Sequence, residues 1–148
     1  KNTLVWEVPY AHGILKAVSY NKGNEVGTAA LESAGKVEKI RLSADRTEIV
    51  ADGNDLSYIT LELVDSKGIR NQLAEELVEF FIEGDATIEG VGNANPMSVE
   101  SFVASSRKTW RGSNLLVVRS GKTSGKVIVT AKVQGLPVAN IIINQRSK

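Results

Sequence analysis

Tyr58-Ile59-Thr60-Leu61-Glu62-Leu63-Val64-Asp65 is the stretch on which the fold turns. Ile59, Leu61 and Leu63 alternate with Thr60 and Glu62, and a period of two places the apolar set on one face of a strand. The same pattern recurs on either side. Ile40 and Leu42 alternate within Lys39 to Ser43, and Val78, Phe80 and Ile82 alternate with Glu79, Phe81 and Glu83. Val127, Val129, Ala131 and Val133 alternate with Thr130 and Lys132. Leu116 and Val118 alternate with the equally apolar Leu115 and Val117, which predicts a strand buried on both sides. Turn compositions separate these runs: Asp52-Gly53-Asn54-Asp55, Asp65-Ser66-Lys67-Gly68, Gly84-Asp85 and Ser120 to Gly125. Only Gln72 to Leu77 could be helical, and it is too short for more than one turn in an inter-sheet connection. Short alternating strands with frequent turns predict an all-β sandwich of about seven strands, two sheets sharing one core.

A smaller unit precedes it. Leu4 to Val8 and Ile14 to Tyr20 are strand-like runs joined through Pro9 to Gly13, and Asn21-Lys22-Gly23-Asn24 turns the chain into Glu25 and Val26. A β-meander this small is marginal in water by itself. It is expected to dock on the sandwich or to pair with a second copy. The boundary is expected between Ser33 and Val37, giving units 1–35 and 36–148.

At 148 residues the chain suits one domain, or one domain plus a fragment, and it can bury a core. Its 42% hydrophobic and 24% charged content is that of a soluble globular protein. A net charge of +1 gives no broad field to recruit nucleic acid or an anionic membrane. There is no cysteine, so disulfides and thiolate metal sites are excluded. No apolar run approaches the roughly 20 residues that span a bilayer. The chain opens on Lys1 without a signal peptide and reads as a segment of a longer protein.

Beyond the alternating strands, Gly90, Gly92, Asn93, Asn95 and Pro96 break regular structure in Ile88-Glu89-Gly90-Val91-Gly92-Asn93-Ala94-Asn95-Pro96-Met97-Ser98-Val99-Glu100-Ser101-Phe102. This stretch resembles a loop in the C-terminal immunoglobulin-like domain of family 2 glycoside hydrolases of the β-galactosidase type. There it reads close to Val-Gly-Asn-Gly-Asn-Pro-Thr-Ser, with Phe a few residues later. Ala94 stands where the second glycine is expected, and Met97 where Thr is common. Trp6 to Tyr20, with Ala34-Gly35-Lys36 and Ile40 to Arg46, resembles the last strands of the preceding domain and the junction. Ala51 to Asp65 resembles the first long strands of the C-terminal domain, and Val117 to Lys122 and Val129 to Ala131 continue the likeness.

Candidates for chemistry are few. His12, the only histidine, lies between Ala11 and Gly13 and reads as a turn residue. One His and no Cys make a zinc site implausible. Glycoside hydrolysis needs two carboxylates facing a sugar cleft. Glu75/Glu76 and Asp52/Asp55 read instead as solvated connector charges, and the resemblance places the catalytic pair in a barrel domain outside this chain. Asp52 to Asp55 suggests a calcium loop, but Leu63 occupies the position of its bidentate Glu; a calcium ion held by other carboxylates stays open. Gly90 to Asn95 begins like a dinucleotide fingerprint, yet Asn95 replaces its third glycine and no helix follows. No cofactor is implied.

Arg107-Lys108-Thr109-Trp110-Arg111 is the one basic cluster around an aromatic residue. Its first reading is a strand with Trp110 capping the sandwich and its charges in water. A domain interface or a glycan contact through Arg107, Trp110 and Arg111 stays open. In the loop, Asn93, Asn95, Ser98 and Glu100 are the side chains able to bond sugar hydroxyls, although a loop bonding its own backbone is the leading account.

The resemblance implies a non-catalytic accessory domain of a periplasmic or extracellular hydrolase acting on β-galactosides. Its partners would be the other domains of that enzyme, and self-association would run through the N-terminal strands. A carbohydrate-binding module is a second reading, weakened by an aromatic content of 5%. A bacterial surface adhesin repeat is a third, weakened by the absence of internal repetition.

Overall fold

The computed structural model describes residues 3–147, and all their regular structure is β. The chain forms two compact units, one ending at Ser33 and one beginning at Ala34.

The first unit is a hairpin of β1 (Ile14–Asn21) and β2 (Asn24–Glu32). Lys22 (φ 49°) and Gly23 (φ 82°) form its two-residue turn. Positive φ at both central positions matches the twist of the flanking strands. A bulge between Ser19 and Tyr20 shifts the register, so that Ser19 faces Gly27 and Tyr20 faces Glu25. Leu4 to Val8, expected as a strand, is irregular, which leaves a hairpin in place of a meander. Trp6, Tyr10, Ile14, Tyr20 and Leu31 are exposed.

The second unit is the sandwich. Its strands are β3 (Lys39–Ala44), β4 (Glu48–Val50), β5 (Leu56–Val64), β6 (Leu77–Glu83), β7 (Ala86–Gly92), β8 (Ser106–Lys108), β9 (Ser113–Ser120), β10 (Gly125–Val133) and β11 (Ala139–Arg146). A four-stranded sheet runs β3-β5-β9-β7 and a five-stranded sheet β4-β11-β10-β6-β8. Every pairing is antiparallel except β4 with β11, so the sandwich is immunoglobulin-like. The alternation set the inward faces. Ile40, Ile59, Leu61, Leu63, Val91, Leu116 and Val118 from one sheet meet Val78, Phe80, Val127, Val129, Ala131 and Ile143 from the other. No described helix is long and apolar enough to cross a membrane.

Three expectations need correction. The sandwich has nine strands rather than about seven: β4 and β8 are only three residues each, and β11 carried no clear signal. The strand around Leu116 is buried on one face only, with Leu115 exposed and Val117 half-buried. Gln72 to Leu77 forms a turn and an extended segment, not a helical turn.

Aspartates pin the connectors. Asp55 accepts from the Val50 N–H at 2.8 Å and from Arg46 Nη2 at 2.9 Å. Asp65 accepts from the amides of Gly35, Lys67 and Ile69 at 2.8, 3.0 and 2.9 Å. Asp85 accepts from Thr123 and Lys122 at 2.7 and 2.9 Å. The peptide of Gly35, next to the unit boundary, is held from its other side as well, by Asn71 Nδ2 at 2.9 Å from its carbonyl. Backbone N–H groups favour the ionised form. Led by Val50 for Asp55, Gly35 for Asp65 and Thr123 for Asp85, they hold the three carboxyls below their ordinary value. The unfolded chain therefore takes up protons first as acid is added. The stability from these groups is intact above their unfolded value of about 4 and drains away as pH falls through the folded values. Urea midpoints should hold steady down to about pH 5 and drop below about pH 4. Asp65→Asn should shrink that drop.

Candidate functional site

β7 is an edge strand, and an edge leaves backbone groups without partners. The loop from Asn93 to Ser105 covers it on its way to β8 at the edge of the opposite sheet. The Val91 N–H donates to Phe102 O at 2.7 Å, and Val91 O accepts from Arg107 Nη1 at 3.1 Å. At the far end of the loop, the Phe80 N–H donates to Ser105 O at 2.8 Å. The loop thus ties one sheet to the other.

Its polar side chains turn onto the loop itself. Asn93, buried, accepts from the Asn95 N–H at 3.1 Å and donates through Nδ2 to Lys108 O at 2.9 Å. Asn95 Oδ1 accepts from the Met97 N–H at 2.9 Å. Ser98 Oγ donates to Glu100 Oε2 at 3.0 Å and accepts from Arg107 Nη2 at the same distance. Glu100 Oε1 accepts from the Lys108 N–H at 3.0 Å, and that bond, helped by Ser98 and Arg107, holds its carboxyl below the ordinary value. Ala94 sits at φ 59°, where a Cβ crowds the backbone. Ala94→Gly is therefore expected to raise unfolding stability by about 1 kcal/mol, read as a higher urea midpoint at unchanged slope.

Arg107, expected as an exposed contact, is 0% exposed. Its register explains this: β8 pairs with β6 so that Arg107 faces the core residue Val78. The guanidinium donates to the carbonyls of Val91, Glu100 and Ser101 at 3.1, 3.2 and 3.4 Å and lies 4.3 Å from the centre of the Phe102 ring. Glu100 Oε2 is 3.9 Å from its Nε. Arg107 is an internal strut, and no ligand reaches it in this arrangement.

Trp110 and Arg111 are placed differently. Trp110 to Ser113 is a tight turn closed by N–H to carbonyl bonds of 3.1 Å in both directions, with Arg111 (φ 52°) and Gly112 (φ 70°) at its centre. The Arg111 guanidinium stacks 4.5 Å from the Trp110 ring centre. Trp110, Arg111, Arg70, Thr60, Leu115 and Ala94 line a shallow depression of about 380 Å³. It offers cations, a ring and a hydroxyl, the groups that hold a sugar or an anion. A larger hollow of about 790 Å³ is lined by Lys36, Glu38, Asn71, Leu73, Glu76 and Leu136 among others, with no aromatic ring. Among the described residues, no group of three His, Cys, Asp or Glu side chains could hold a metal ion.

The structure thus joins Asn93, Asn95, Ser98, Glu100 and Arg107 into one self-bonded assembly and leaves Trp110 and Arg111 beside it on the surface. Among the buried polar residues that escaped the sequence reading, Asn114 and Thr109 lie beside this assembly. Asn114 Nδ2 donates to Arg107 O at 3.1 Å, and Thr109 Oγ1 donates to Ala74 O at 3.0 Å. The alternation of Asn114 with Leu116 and Val118 is the signal that could have placed Asn114 inward.

Comparison with known proteins adds the relatives. The model of the glycoside hydrolase family 2 C-terminal domain 5 matches residues 40–142, and a domain of unknown function (DUF4982) matches residues 1–27. The β-galactosidase BoGH2A of Bacteroides ovatus is 36% identical over 141 residues, which cover 95% of this chain and 17% of that protein. A crystal structure of a glycosyl hydrolase family 2 member from Bacteroides cellulosilyticus shares 90% identity at a TM-score of 0.89, over 95% of this chain and 19% of that one. A β-glucuronidase structure from the same family shares 28% identity at a TM-score of 0.78, over 95% of this chain and 15% of that one. The chain therefore spans less than a fifth of these relatives, and it belongs to the glycoside hydrolase family 2 C-terminal domain 5 family.

Proposed function

We propose that this chain is a non-catalytic accessory domain of a family 2 glycoside hydrolase of the β-galactosidase type, bracing the enzyme that carries it. The observation that carries this reading is the engagement of Asp55, Asp65, Asp85 and Glu100 by the chain's own backbone N–H groups. A glycosidase general acid needs a raised pKa and a second carboxylate across a cleft. Asp55, Asp65, Asp85 and Glu100 are all held below the ordinary value by backbone N–H groups, each engaged in fixing a turn or loop. They are tied up as structural acceptors. The hairpin before the sandwich belongs to a neighbouring domain, a reading supported by its match to a separate family model over residues 1–27. Strands of that domain would cover its exposed Trp6, Tyr10 and Tyr20. Its exposed strands are also the surface through which isolated copies would associate.

The test compares the 148-residue chain with the longer enzyme on aryl β-galactosides and aryl β-glucuronides. The chain alone should leave both substrates untouched. The longer enzyme should turn over the galactoside, and turnover by the chain alone would overturn the proposal. We also propose, from the family resemblance alone, that the enzyme works in the periplasm or outside the cell, which cell fractionation checks.

The depression beside Trp110 favours a second reading, a carbohydrate-binding module. Titration calorimetry with galactose, lactose and galactose-containing oligosaccharides distinguishes the two. Saturable heat that vanishes in Trp110→Ala would favour glycan binding, and no heat at millimolar sugar would leave the bracing role.

A further inference from the structure

The loop between β7 and β8 has its polarity reversed. Surface loops usually turn polar groups to water and apolar ones inward. Here Asn93, Asn95, Ser98 and Glu100 bond within the loop or to β8, while Met97 (84%), Val99 (100%) and Val103 (78%) face outward. Phe102 joins them, one side of its ring against the Arg107 guanidinium and the residue still 63% exposed. Between Asn93 and Ser105 the sequence holds one charge, Glu100, and it is already met by Arg107 and the Lys108 N–H. The result is an uncharged apolar tip on a stiff base, for the buried arginine fixes the loop to the edges of both sheets. An apolar patch mounted this way marks an interface. Its preformed shape lowers the ordering cost of association.

We propose that Met97, Val99, Phe102 and Val103 form the surface on which this domain docks against an apolar face of the preceding part of the hydrolase chain. The proposal rests on the accessory-domain reading. The occupant is indicated by what lies outside the structure: the domain is a C-terminal one and covers 17% and 19% of its relatives, so most of such an enzyme precedes it. The missing charge argues against an acidic or basic partner, and against a polysaccharide, whose hydroxyls would find few polar groups at the tip.

Val99→Cys provides the test, since Val99 is fully exposed and the chain has no cysteine of its own. Maleimide labelling at position 99, quantified on the peptide by mass spectrometry, is run in the 148-residue chain and in the longer hydrolase. Labelling should be at least about tenfold slower in the longer enzyme, because a buried site reacts only through local opening. Val99→Asp should lower the melting temperature of the longer enzyme and leave that of the 148-residue chain unchanged. Equal labelling rates in the two proteins would overturn the docking surface. Protection in the 148-residue chain that grows with protein concentration would also overturn it, naming a second copy as the occupant. An active galactosidase with position 99 unprotected would keep the accessory role and remove only this surface. Protection in a longer protein without glycosidase activity would do the reverse.

Discussion

Arg107→Ala is expected to lower the stability of the sandwich by about 3–5 kcal/mol, the range for breaking a buried charged network. Truncation leaves the carbonyls of Val91, Glu100 and Ser101 without the donors that now meet them at 3.1 to 3.4 Å, and it empties a fully buried site. Each orphaned acceptor costs about 1–3 kcal/mol where water cannot replace the donor, and the cavity adds to this. Relaxation of the loop would recover part of the loss, which holds the sum within the stated range. Arg107→Lys keeps the charge, but a single ammonium cannot span three carbonyls and Ser98 Oγ. It should retain less than half of the lost stability. Urea denaturation at pH 7 reads both variants. The outcome also separates a strut from a ligand contact: a surface contact could be truncated with almost no change in midpoint.

Gly112→Ala should cost about 3 kcal/mol or more, combining a left-handed residue with a steric overlap. Gly112 has φ 70°, and an added Cβ would lie 2.1 Å from Asn71 O and 3.1 Å from Asn71 C. Both are backbone atoms, and they are not free to move. Gly112 donates to Ala74 O at 3.0 Å and accepts from the Leu63 N–H at 2.9 Å, while the Asn71 N–H donates to Leu63 O at 2.9 Å. The turn after Trp110 is thus stitched to the connector between β5 and β6, and a methyl group would pry the two apart. The neighbouring Arg111→Gly should act in the opposite direction, since it relieves a side chain at φ 52°. A thermal melt of the pair would show whether space or backbone conformation dominates at this turn.

Where a strand is half-buried, period-two alternation is a direct image of its environment, and β3, β5, β6 and β10 were legible for that reason. β11 was not: in Asn140-Ile141-Ile142-Ile143-Asn144 the isoleucines run together, and only pairing with β10 shows which of them turns inward. The three-residue strands β4 and β8 are too short to display a period. At the site, the loop's self-bonding could be anticipated from its Asn and Ser content, because these side chains bond nearby backbone. The burial of Arg107 could not. Its inward direction follows from register with β6, a contact between distant segments, and a lone arginine in a basic run gives no hint of it. The left-handed backbone of Ala94, at φ 59°, was not legible either, because alanine carries no local signal for that conformation.

The parallel pairing of β4 with β11 bears on how the sandwich assembles. Glu48 to Val50 align with Asn144 to Arg146, so joining them closes a loop that includes nearly all of the domain. Closing so large a loop carries an entropy cost that no local contact offsets beforehand, and topologies dominated by such distant pairings fold slowly. β11 joins β10 as a local hairpin, so the edge left open until that closure is the one on β11 that β4 will occupy. A chain still waiting for β4 is thus open along one flank, and that interval is when neighbouring copies can add a strand of their own and aggregate.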